Sequence, residues 1–172
     1  QVFGVIGLGN IGTRVAEYAQ KLGDKILAYT RTPSQERANR LGVTFVDLEA
    51  LLQQSDIISI NTKLTPQTAG LIGSKEFGQM GRRPILINTA RGEVVDHTAL
   101  SKALRIGQIR AAGLDVLWDE PPDPRDPLLQ MENVLFTPHC SSATIQGFGA
   151  QSELCIQNVE AFLSGKSQNV VS

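Results

Sequence analysis

Residues Val2 to Leu22 constrain this chain more than any other stretch. They open Val2-Phe3-Gly4-Val5-Ile6-Gly7-Leu8-Gly9-Asn10-Ile11-Gly12, and Ile11, Val15, Tyr18, Ala19 and Leu22 then recur at helical spacing. The pattern predicts a short apolar strand ending at Gly7 and a helix closed by Gly23. Gly7, Gly9 and Gly12 are spaced G-x-G-x-x-G. Gly7 permits the tight turn, Gly9 lets a pyrophosphate reach the backbone, and Gly12 lets the helix pack close to the strand. The helix N-terminus adds free N–H groups and a partial positive charge. Between a strand and a helix, this spacing predicts a dinucleotide site at Gly7, Gly9, Asn10, Ile11 and Gly12. The bland alternative is a glycine-rich turn with no ligand.

Further strands are expected at Lys25–Thr30, Val43–Val46, Asp56–Asn61, Pro84–Thr89, Ala111–Leu117 and Val134–Thr137. Helices alternate with them. Thr32-Pro33-Ser34-Gln35 reads as a helix start with Thr32 as the N-cap. Asp47 and Asp96 read as caps of the helices that follow, and Gly42 and Gly107 as helix stops. Asp119–Asn133, with four prolines, reads as a long structureless loop, which in a compact domain is usually functional. The last helix carries Ile145, Phe148, Cys155, Val159 and Phe162 on one face and ends at Gly165. The strands are continuous apolar runs, the mark of a parallel sheet covered on both faces. The fold class is therefore α/β, a doubly wound parallel sheet with right-handed crossovers.

A length of 172 residues suits one domain with a full core. A net charge of −1 offers no electrostatic case for nucleic acid or an anionic membrane. No apolar run is long enough to span a bilayer. Cys140 and Cys155 lack metal-type spacing, so free thiols in a cytoplasmic protein are the default, and no metal site is expected. The chain opens on Gln1 rather than Met and enters a strand at once, which suggests a domain of a longer protein.

In open α/β sheets, ligands bind beyond the carboxyl ends of the strands. Thr30-Arg31-Thr32 follows the second strand, Asn61-Thr62-Lys63 the fourth, and Thr89-Ala90-Arg91 the fifth. Asp115 and Glu120 follow the sixth, and His139 the last. An arginine, two carboxylates and a histidine are thus expected on one rim with the dinucleotide. A site for NAD places Asp or Glu near residue 30 to hold the ribose 2′-OH. Thr30 with Arg31 suits a 2′-phosphate better, so NADP is the expected cofactor and NAD the alternative. Thr32 reads as a helix cap rather than a phosphate ligand. A carboxylate beside an imidazole fixes its tautomer, which raises the standing of His139. His97, beside a helix cap, reads as merely solvated.

Several motifs occur in order: Gly7 to Gly12, Leu64-Thr65-Pro66-Gln67-Thr68, Ile87-Asn88-Thr89-Ala90-Arg91-Gly92, Gly113-Leu114-Asp115-Val116 through Glu120-Pro121, and Thr137-Pro138-His139. Together they resemble the D-isomer-specific 2-hydroxyacid dehydrogenases over essentially the whole chain. Phe162 to Lys166 and Asn169-Val170-Val171 are similar to that family's closing segment. The resemblance implies a Rossmann NAD(P)-binding domain over residues 1–172, with the segment from about 165 returning toward a substrate-binding domain that the chain lacks. It implies hydride transfer between a nicotinamide cofactor and a small D-2-hydroxyacid or 2-oxoacid, of glyoxylate/hydroxypyruvate, phosphoglycerate or lactate type. It implies Arg91 as the substrate-binding cation, His139 as the general acid/base with Glu120 as its partner, and Asp115 near the nicotinamide carboxamide. Thr62, Thr89, Ala90, His139 and Ser141 fall on the cofactor side, and a homodimer through this domain is implied.

Three positions depart from the family pattern. Asn61-Thr62-Lys63 stands where His-x-Pro is common, Ser141 where Gly is usual, and Thr30 where Asp is common. Two other readings stay open: a nucleotide-sensing, peptide-binding corepressor of the same fold, and a bare dinucleotide-binding module.

Overall fold

The computed structural model describes Gln1 to Val170; Val171 of the closing segment and Ser172 lie outside the described residues. Contacts divide the chain into two units, Gln1–Pro138 and a second that begins at His139.

The first unit holds β1 (Val2–Ile6), α1 (Asn10–Lys21), β2 (Lys25–Tyr29), α2 (Gln35–Leu41), β3 (Thr44–Phe45), α3 (Leu48–Gln54), β4 (Ile57–Ile60), α4 (Ser74–Gly78), β5 (Ile85–Asn88), α5 (His97–Arg105), β6 (Ala111–Leu114) and β7 (Val134–Phe136). The seven strands form one sheet in the order β3-β2-β1-β4-β5-β6-β7. All pairings are parallel, with Ile6 opposite Tyr29 on one side and Ile60 on the other. The doubly wound sheet expected from the apolar runs is the observed one. Neighbouring residues of β1 show why the runs are continuous. Val5 packs with Leu8, Ala16 and Ile26, whereas Ile6 packs with Leu27, Ile58 and Ile60 in a separate cluster. Both faces of the sheet are buried, so alternation would leave a polar group without a partner.

From β1 the chain winds out through β2 and β3, then returns to pair β4 on the other side of β1. The strand order therefore reverses at β1, and a crevice opens beyond the carboxyl ends of β1 and β4. Asp56 fastens this centre from below. Its carboxylate accepts from the Val2 N–H at 2.8 Å and pairs with Arg82 at 3.3 Å. The Val2 hydrogen bond first, and the Arg82 contacts second, hold that carboxyl below its ordinary range.

The caps Asp47 and Asp96 accept from Ala50 N and Ala99 N, both at 2.7 Å, as their positions predict. Gly42 and Gly107 take left-handed backbone at the expected stops. Two elements differ from expectation. Ser34, not Thr32, caps α2, its hydroxyl accepting from Arg37 N at 3.2 Å. Pro33 precedes the cap instead of opening the helix, which frees Thr32 for the crevice. The apolar stripe of α1 is also only partly buried. Gly12, Ala16 and Ala19 are buried, while Ile11, Tyr18 and Leu22 are 68%, 65% and 84% exposed. The helix lies so close to the sheet that only small side chains fit beneath it.

The second unit contains α6 (Ile145–Leu163), capped by Thr144, whose hydroxyl accepts from Gly147 N at 2.9 Å. None of its side chains is buried, and Gly165 follows it with positive φ. No helix among the described residues is long and apolar enough to cross a membrane.

Candidate functional site

The loop between β1 and α1 is built as its glycines require. Gly7 has φ +91°, and a Cβ there would stand 2.9 Å from the Asn61 carbonyl. At Gly12 a Cβ would collide with the carbonyl oxygen of Gly7. Gly9 is the opposite case, since a Cβ there would meet nothing within 4 Å. It is also the N-cap of α1, and no side chain caps the helix. Open space over uncapped N–H groups is what a pyrophosphate needs. A second sign lies at the end of β4. The Asn61 Nδ2 donates to Ser59, but its Oδ1 is buried with no hydrogen-bond partner among the described residues. Asn61 lines the crevice, so a buried acceptor waits where a polar ligand would lie. The residues present therefore fit a dinucleotide.

Two cavities adjoin here. One, of about 450 Å³, lies against Gly7 and Gly9 and is lined by Thr30, Arg31 and Thr62 among others. Arg37 of α2 and Lys63 line it too, and among the described residues no Asp or Glu does. Arg37 donates through Nη2 to the Leu8 carbonyl, tying α2 to the glycine loop. The second cavity, of about 400 Å³, is lined by Ile11, Thr62, Thr89, Ala90 and Arg91. Asn61, Thr62 and Lys63 line both. Asn10 lines neither; with Gly9 it borders a third recess beside Arg14.

Arg91 stands between β5 and a 3₁₀ turn at Gly92–Val94. The turn sits tight against the β6 exit: a Cβ on Gly92 would collide with the Leu117 carbonyl. Asn88, fully buried, organises the loop with both ends of its amide. Its Oδ1 accepts from Ala90 N at 3.0 Å and its Nδ2 donates to the Arg91 carbonyl at 2.9 Å. Arg91 Nη1 donates to the Ala90 carbonyl at 2.6 Å, while the side chain remains exposed. The fork keeps donors for an anion.

Asp115 and Glu120 line neither of the two cavities. Asp115 is buried at the exit of β6 and accepts from Thr137 Oγ1 at 2.5 Å. Glu120 is exposed and accepts from Leu117 N at 3.1 Å. His139 and Ser141 belong to the second unit. His139 has φ +51°, a left-handed backbone uncommon for a residue other than glycine. Such strain costs about 1–3 kcal/mol and concentrates at functional sites.

His97 corrects the expectation of a solvated side chain. It is half-buried, its Nε2 lies 2.8 Å from Asp126 Oδ2, and its ring meets Trp118 edge-on at 4.7 Å. Asp126 also accepts from Leu128 N and opens a 3₁₀ turn at Pro127–Gln130. The Asp119–Asn133 segment is therefore not structureless. The recess of about 610 Å³ that these residues line shares no residue with the glycine-loop cavity. Among the described residues no group of three or more His, Cys, Asp or Glu could hold a metal ion.

Sequence reasoning overlooked Asn88 and Arg37 as site residues and placed Asn61 at the rim without giving it a role. Asn88 and Asn61 could have been found as amides closing apolar strands, where a buried polar group needs a reason.

Comparison with known proteins agrees with this geometry. Residues 1–141 match the family described as D-isomer specific 2-hydroxyacid dehydrogenase, NAD binding domain. A glyoxylate reductase of Korarchaeum cryptofilum is 42% identical over 166 residues, covering 96% of this chain and 50% of that protein. A D-3-phosphoglycerate dehydrogenase of Archaeoglobus fulgidus is 45% identical over 141 residues, 82% of this chain and 27% of that protein. Among solved structures, D-lactate dehydrogenase with NAD+ from Lactobacillus jensenii superposes with a TM-score of 0.89 at 36% identity, covering 100% of this chain and 56% of its own. The chain thus spans about half the length of the reductase it matches.

Proposed function

Since the chain belongs to the D-isomer specific 2-hydroxyacid dehydrogenase family through its NAD-binding domain, we propose that the whole protein is an NAD(P)-dependent reductase of small 2-oxoacids, of glyoxylate/hydroxypyruvate, phosphoglycerate or lactate type. The observation that carries this reading is the shared wall Asn61–Lys63, which sets the Arg91 cavity directly beside the glycine-loop cavity. An anion-binding guanidinium next to a dinucleotide site is what reduction of an anionic carbonyl compound requires. The bound nicotinamide supplies or takes up the hydride at the substrate carbon.

The chain's own residues carry the rest. Gly9 and the α1 N-terminus hold the pyrophosphate, with Gly7, Asn10, Ile11 and Gly12 shaping the loop around it. Thr30 and Arg31 hold the adenosine ribose, and the absence of an acid from that cavity lining supports NADP over NAD. Thr62, Thr89, Ala90 and the buried Asp115 take the nicotinamide side, with His139 and Ser141 completing it in the whole enzyme. Arg91 fixes the substrate carboxylate through a forked hydrogen bond. His139 holds the proton delivered to the substrate oxygen on reduction and receives it on oxidation, and Glu120 supports it in that role. A substrate-binding domain elsewhere in the protein supplies the remaining substrate contacts, and the enzyme works in the cytoplasm as a homodimer.

Steady-state reduction of glyoxylate and hydroxypyruvate by the whole protein, with NADPH and NADH, tests the reading. Replacing His139 with Ala lowers kcat by about 10²–10⁴. Full activity of that variant overturns the assignment.

A further inference from the structure

We propose that Lys63 is a second cation, beside Arg31, through which the cavity selects a 2′-phosphorylated adenine dinucleotide. The proposal rests on the NADP reading above and names a residue that neither the glycine motif nor the second strand points to.

The topology places the two cations on opposite flanks. β2 and β4 are the two neighbours of β1 in the sheet. Arg31 follows β2 and Lys63 follows β4, so they enter the same cavity from either side of the glycine loop. An anion seated there is approached from both flanks. A phosphate monoester offers three acceptor oxygens and close to two negative charges, enough for a guanidinium fork and an ammonium together. A bare ribose hydroxyl offers neither.

Among the described residues the lining contains three cations and no carboxylate, so none of them neutralises the field. The cations differ in how they are committed. Arg37 already gives a donor to the Leu8 carbonyl. Lys63 and Arg31 form no ion pair among the described residues.

An exposed lysine is by default only solvated, and Lys63 is exposed. Its backbone, however, is pinned. Thr68 Oγ1 donates to the Lys63 carbonyl at 2.6 Å, and Thr65 N donates to the same hydroxyl at 2.8 Å. The Leu64 to Thr68 turn thus holds the Lys63 backbone at the cavity wall, so only the side chain has to be ordered when the ammonium engages an anion. Lys63 also lines the Arg91 cavity, so the pyrophosphate and the substrate carboxylate are the competing destinations.

Direct titration separates these. NADPH, NADH, 2′,5′-ADP and 5′-AMP are titrated into the protein and its Lys63→Ala and Lys63→Arg variants, followed by nucleotide fluorescence and calorimetry. Loss of one charge-assisted contact raises the Lys63→Ala dissociation constants for NADPH and 2′,5′-ADP about tenfold, leaving NADH and 5′-AMP within about twofold. Lys63→Arg restores most of the NADPH affinity, and the salt dependence of NADPH binding becomes shallower in Lys63→Ala. Equal weakening of NADH and NADPH assigns Lys63 to the pyrophosphate or to loop integrity and overturns the proposal. Unchanged binding of both overturns it too. Wild-type protein that binds NADH as tightly as NADPH overturns the NADP reading itself. A wild-type NADPH preference that Lys63→Ala leaves intact overturns only the role of Lys63.

Discussion

Arg91 depends on a residue that lines neither cavity. Asn88 spends both ends of its amide on the loop that carries the guanidinium, and it is fully buried. Replacing it with Ala leaves Ala90 N and the Arg91 carbonyl without their side-chain partner, at about 1–3 kcal/mol. The expected result is lower kcat/KM for the oxoacid with dinucleotide affinity nearly unchanged, checked by steady-state kinetics against cofactor titration. Arg91→Ala costs about a hundredfold in kcat/KM, because a displaced carboxylate loses its near-attack geometry. Arg91→Lys recovers little, since an ammonium has no fork. The chemistry at this scale was legible where a residue type announces itself beside a strand end, as Arg91 and Gly12 do. Asn88 and Arg37 were hidden because their partners are carbonyls and N–H groups, and a sequence does not show which backbone groups a fold leaves needing one.

The elements were legible in number, type and order, and less so in which face they bury. Ile11 and Tyr18 of the apolar stripe of α1 lie on its outer side because Gly12 lets the helix sink onto the sheet, and Ile11 ends up lining the Arg91 cavity. Gly12→Ala therefore forces a shift against the Gly7 carbonyl. It costs about 1–3 kcal/mol and disrupts dinucleotide binding, which thermal melting and NADPH titration together detect. Likewise Thr32 and Ser34 are both good caps by type; the helix begins at Gln35, so the cap position falls to Ser34. At the base of β1 and β4, Asp56 supplies a pH signature. Its carboxyl is held below its ordinary range by Val2 N–H and Arg82, so the stabilisation is complete above the unfolded carboxylate pKa of about 3.9. It is lost as the pH falls through the lower folded value. The Asp56→Ala protein accordingly melts earlier than wild type at neutral pH, and the difference shrinks as the pH drops below about 4.

At the scale of the whole molecule, the chain carries the nucleotide-binding half of its family's architecture and spans about half of a relative's length. We expect the chain on its own to bind NADPH yet reduce glyoxylate and hydroxypyruvate poorly, with calorimetry and a single-turnover assay as the check. Turnover by the chain alone that matched the whole protein would contradict a substrate cleft shared with a further domain. The placement of β1 has a consequence for how the protein is made. Its hydrogen-bonding partners are β2, close in sequence, and β4, which begins at Ile57. During synthesis the glycine loop emerges before β4, so its strand keeps one unpaired edge until Ile57–Ile60 have left the ribosome. The cofactor's cradle is thus translated ahead of the strand that encloses it and must wait for that strand.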